Sequence, residues 1–152
     1  MKLVHTLACA ALVASTFVAS SRAEGLDDTA ACAGIVIGNG AVDYSNNDEP
    51  AFDSAGSIAY AAFLGHIMSG NYSKEDLQLA DQILASNVDF VIEAANSGTF
   101  SNETYEQVIG CYRALGLLLL EHSDVIAKRA ATIKDAEGKA MSRMKRLLNA
   151  GR

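Results

Sequence analysis

The chain holds a single proline, Pro50, in 152 residues, and on both sides of it apolar residues recur at three- and four-residue spacing. Proline breaks helices more strongly than any other residue, so a chain almost free of it and rich in Ala and Leu has helix as its default conformation. The expected fold class is all-α: a single-domain bundle of four to five helices.

A first helix is expected after Asp27 or Asp28, whose charges suit a helix N-terminus, and runs through Cys32, Ile35 and Val36; Gly38, Asn39 and Gly40 either end or kink it. The polar stretch from Asp43 to Asp53 contains Pro50 and reads as a loop. A second helix from Asp53 or Ser54 to Gly70 carries Tyr60, Phe63, Leu64 and Ile67 on one stripe. Its remaining positions are mostly Ala, Gly and Ser, which let neighbouring backbones approach, so it is the expected central helix. The third has the clearest start: Ser73 can cap, and Asp76 stands three residues on. It continues through Leu84, Val88 and Val91 and stops at Gly98. A fourth begins at Ser101 or Asn102 and is expected to bury Tyr105, Val108, Ile109, Tyr112, Leu115 and Leu119, with Cys111 beside that stripe. Beyond Asp124 the stripe of Ile126, Ala130, Ile133, Ala140, Met144 and Leu148 is poor in large aliphatics and interrupted by Glu137 and Gly138.

Residues 1–23 have the parts of a cleavable signal peptide: a positive charge at Lys2, an apolar run from Leu3 to Ala19, and the small residues Ser21 and Ala23 before the cut. The run is short for a membrane anchor and lacks a stop-transfer flank. Cleavage after Ala23 leaves 129 residues, enough for one hydrophobic core. Cys9 departs with the leader, so in an oxidising compartment Cys32 and Cys111 have one intramolecular pairing open to them. Closing that 79-residue separation stabilises by about 4 kcal/mol in the chain-entropy model. The expected location is periplasmic or secreted.

Charge divides the mature chain. Residues 24–127 carry 16 acidic residues against Lys74 and Arg113, a net of −14. Residues 128–152 carry eight basic residues against Asp135 and Glu137, a net of +6. The expected organisation is therefore an acidic helical domain, 24–127, followed by a basic amphipathic C-terminal helix, 128–152. An acidic body repels phosphates, which argues against nucleic acid as a partner.

No motif calls for a cofactor. His66 reads as a packed structural histidine, and His122, beside Glu121 and Asp124, lacks the third nitrogen or thiolate of a zinc site. Asp43, Ser45 and Asn47 alternate as in a calcium loop, but Asp48 stands where glycine is needed and Ser54 where a bidentate glutamate is needed. Gly34, Gly38 and Gly40 follow no strand and lack dinucleotide-fingerprint spacing. Asn71-Tyr-Ser73 and Asn102-Glu-Thr104 fit the glycosylation acceptor pattern, yet both fall at helix starts, where such residues cap.

The plan of a small exported helical chain with one long-range disulfide resembles that of periplasmic acid-stress chaperones, a likeness of architecture that shares no motif. With no clustered His, Cys and acidic residues, the expectation is a non-enzymatic protein-binding factor of the cell envelope: an inhibitor, chaperone or assembly subunit. The expected partner-binding residues are Lys128, Arg129, Lys134, Lys139, Arg143, Lys145 and Arg146, facing an envelope protein, an anionic membrane surface or a second copy. The alternative is a carrier of a small apolar ligand held between helices.

Overall fold

The computed structural model describes residues 25–150, which form six helices; the expected signal peptide and Arg152 lie outside the described residues. In chain order these are α1 (Leu26–Ser45), α2 (Glu49–Ser69), α3 (Lys74–Asn96), α4 (Asn102–Glu121), α5 (Ser123–Lys128) and α6 (Ala130–Ala150). The helix count exceeds the expected four to five because the last segment is divided: Arg129 interrupts it between α5 and α6. Glu137 and Gly138, by contrast, lie inside α6 and do not break it.

The helix at the centre is α1, not α2. It packs against α2, α3 and α4, and twelve of its 20 residues are buried, against seven of 21 in α2. The glycines that seemed to end α1 explain its position. A Cβ at Gly38 would stand 2.8 Å from Val91 Cβ and 2.9 Å from the Val88 carbonyl oxygen on α3. One at Gly40 would stand 2.8 Å from Ala55 Cβ on α2. Each glycine costs the isolated helix about 1 kcal/mol relative to alanine. Here its missing side chain is the space into which a neighbouring helix fits, and burial on nearly all sides keeps α1 helical.

The expected loop from Asp43 to Asp53 is mostly helix. Asp43 to Ser45 belong to α1, and only Asn46, Asn47 and Asp48 connect it to α2. Asn47 takes a left-handed backbone, φ 68°, which asparagine tolerates better than most residues. Asp48 then caps α2 by accepting a hydrogen bond from the Ala51 amide at 3.1 Å, and Pro50 sits in the first turn, where its missing N–H is no loss. Polarity suggested a loop, but the same residues are helix-start chemistry.

The third helix starts as expected. Ser73 Oγ accepts from the Asp76 amide at 3.1 Å, and the Asp76 carboxylate accepts from the Ser73 amide at 2.9 Å. The Ser73 hydroxyl also donates to the same carboxylate at 2.8 Å, and this bond first, then the one from the Ser73 amide, holds the Asp76 carboxyl below its ordinary pKa. Ala80, Leu84, Val88, Val91 and Ala94 form its buried stripe against α1, and beyond its end Gly98 adopts φ 71°.

On α4 the buried positions are Thr104, Val108, Cys111, Leu115 and Leu118, while Tyr105 is 56 % exposed. The stripe is rotated from the one expected because Cys111 sits within it. Its disulfide to Cys32, with Cα atoms 4.8 Å apart, turns that face of α4 toward α1. Among the described residues no helix is long and apolar enough to cross a membrane.

Candidate functional site

The C-terminal segment folds back along α2. Its attachment begins with Gly56, where a Cβ would collide with the Met141 side chain; the missing carbon is the notch that seats Met141 beside Phe52 and Ala41. Met144 and Leu148 pack around this second small core. Polar contacts flank it: Ser57 Oγ donates to Glu137 at 2.6 Å, and Asn149 Nδ2 donates to the Tyr44 hydroxyl at 3.2 Å.

Lys145 lies on the inward flank of α6. Its ammonium reaches Glu49 at 2.6 Å and Asp53 at 2.8 Å, bonds that raise its pKa, with Asp53 contributing most. It therefore ties α6 to α2. The other six expected partner-binding residues, Lys128, Arg129, Lys134, Lys139, Arg143 and Arg146, are all exposed. Lys139 pairs with Asp135 at 2.6 Å on the same helix face, an exposed i,i+4 contact of small energetic weight. Lys128, Arg129, Lys134, Arg143 and Arg146 make no ion pair among the described residues. Lys134, Asp135, Gly138, Lys139, Ser142 and Arg146 line a shallow open groove along the outer side of α6. A second open depression lies between the start of α1 and Tyr72.

A cluster that sequence reasoning kept apart lies where the ends of α2 and α4 meet. A Cβ on Gly65 would stand 2.7 Å from Ile126 Cγ1, so glycine there lets α5 close onto α2. The next residue, His66, places Nδ1 3.2 Å from His122 Nε2, at the junction of α4 and α5. The hydroxyl of Tyr72 lies 2.8 Å from His66 Nε2. Gly70 permits this as well, since a Cβ there would strike the Tyr72 ring.

A neutral pair satisfies both bonds if Tyr72 donates to His66 Nε2 while His66 Nδ1–H donates to His122 Nε2. A proton added to His66 goes to Nε2 and turns the Tyr72 hydroxyl into the acceptor, while Nδ1–H still donates to His122. Burial, followed by the charge of His122, holds the His66 pKa below its ordinary 6.5, and Glu121 partly offsets both.

The unfolded chain therefore binds this proton more readily than the folded chain. The stability His66 contributes is fully present above pH about 6.5 and is lost as pH falls through its lower folded value. The thermal midpoint should drop between pH 7 and pH 5, above the range in which ordinary carboxylates titrate. A His66→Gln variant should show a smaller drop; an equal drop would remove His66 as the cause.

The fold and its surface define an all-helical, disulfide-closed bundle with a basic outer helix and a histidine pair at one end. Comparison with protein-family models, curated proteins and solved structures yields no match.

Proposed function

We propose that the protein is a non-enzymatic binding factor of the cell envelope, exported with loss of residues 1–23, whose C-terminal segment, from the end of α5 through α6, presents a basic ridge to an acidic protein partner. The observation that carries this reading is that Lys128, Arg129, Lys134, Arg143 and Arg146 are exposed and make no ion pair among the described residues. They belong to a chain whose body, residues 24–127, has a net charge of −14. Such charge accelerates encounter and selects partners of opposite sign. The apolar stripe of α6 is already covered: Ile133 and Met141 are buried, with Met144 and Leu148 packed beside them. Inserting that stripe into a bilayer would require α6 to leave α2, which favours an acidic protein surface over lipid. The disulfide suits an oxidising compartment.

The test is the triple variant Lys134→Glu, Arg143→Glu, Arg146→Glu, whose three positions are exposed, so the fold should tolerate it. The wild-type chain should retain a stoichiometric partner from envelope extract at low salt and lose it as ionic strength rises. The triple variant should retain none. Undiminished capture by the folded variant would exclude the ridge as the binding surface.

A further inference from the structure

We propose that His66 and His122 form a binding site for a divalent first-row transition metal, with Cu²⁺ as its tightest ligand. The two imidazoles come from separate helical segments, α2 and the junction after α4, and their facing nitrogens are 3.2 Å apart. Two nitrogens bound to one ion at about 2.0 to 2.1 Å stand roughly 3.3 Å apart at a tetrahedral angle and about 2.9 Å apart at a right angle. The observed separation falls between these values, so an ion can enter by a small outward swing of either ring. Both histidines are partly exposed, which leaves a path for the ion.

Tyr72 supplies the supporting contact. When His66 Nδ1 carries the metal, Nε2 must carry the proton, and the Tyr72 hydroxyl 2.8 Å away accepts it. Ligating histidines characteristically hold their second N–H on such a partner, which fixes the tautomer and the ring plane. Glu121 acts electrostatically on His66 in the direction that favours positive charge. No set of three His, Cys or carboxylate ligands forms among the described residues, so water completes the coordination and the site stays open. Imidazole ligands without thiolate suit copper, nickel and zinc, and affinity within that series peaks at Cu²⁺.

The experiment adds Cu²⁺ to the disulfide-closed chain and reads electron paramagnetic resonance together with affinity. The wild-type protein should bind one equivalent with hyperfine structure from two imidazole nitrogens, and binding should weaken as pH falls and the rings take up protons. Tyr72→Phe should keep both nitrogens and lose roughly 10- to 100-fold in affinity. The double variant His66→Gln, His122→Gln should lose the two-nitrogen signal altogether. A wild-type spectrum without two nitrogen ligands would overturn the proposal, whatever the variants do. So would equal Cu²⁺ affinity in the wild-type chain and the double variant, which differ at these two histidines alone.

Discussion

Replacing both Cys32 and Cys111 with alanine should lower stability by about 2 to 5 kcal/mol, and the helix that loosens should be α4 rather than α1. The magnitude follows from the 79-residue separation that the bridge closes in the unfolded chain. The location follows from packing. α1 is held between α2 and α3 by the close approaches at Gly34, Gly38 and Gly40, none of which depends on the disulfide. α4 rests on α1 and α2 through a stripe of five buried residues that includes Cys111 itself, and its outer face carries Leu117 at 57 % and Leu120 at 74 % exposure. Of the two helices that the bridge joins, α4 then has the fewer buried residues to hold it. Hydrogen exchange at matched stability should show protection falling most over residues 104–118. Greater loss over residues 29–36 would mean that α1 depends on the staple after all.

Two glycine-to-alanine substitutions should have opposite signs. Gly138 is exposed on α6, and a Cβ there meets nothing within 4 Å, so Gly138→Ala should stabilise by about 1 kcal/mol through helix propensity. Gly34→Ala offers the same intrinsic gain, yet its Cβ would run into the Leu84 carbonyl oxygen and stand 2.8 Å from Asn87 Cβ. Neither obstacle is a flexible chain end. Leu84 presents backbone within a helix, and Asn87 is held by a 2.8 Å hydrogen bond to the Ile83 carbonyl. To admit the methyl group, α1 and α3 must separate, and overpacking of this kind costs about 1 to 3 kcal/mol. The expected net result is destabilisation, measured by denaturant midpoint at constant slope. A Gly34→Ala variant as stable as the parent would show that the α1–α3 crossing has slack that the structure does not indicate.

What the sequence determined by itself was what short-range chemistry decides. Helix as the only regular structure of the described residues followed from proline scarcity and three-to-four spacing. The start of α3 at Ser73 and Asp76 and of α4 at Ser101 followed from side chains that satisfy nearby backbone amides. The pairing of Cys32 with Cys111 followed from counting. Asp48 and Pro50 carried the same kind of local signal for the start of α2, but the polarity around them suggested a loop instead.

Only the tertiary structure decided which helix lies inside, which face of α4 points inward, and which distant residues meet. Gly34, Gly38 and Gly40 weaken an isolated helix, and their value appears only when α2 and α3 press against the places where side chains are missing. Tyr105 looks like a core residue until the disulfide sets the rotation of α4. His66 and His122 are 56 residues apart, and nothing near either names the other. An up-and-down bundle does bring the ends of its second and fourth helices to one side, and that topological clue was the sole pointer available. Lys145 likewise reads as one more cation on a basic helix until Glu49 and Asp53 stand within 3 Å of it. The physical reason is common to all of these: propensity and capping act over a few residues of chain, whereas burial, close helix approach and ion pairing depend on surfaces that exist only after the helices have assembled.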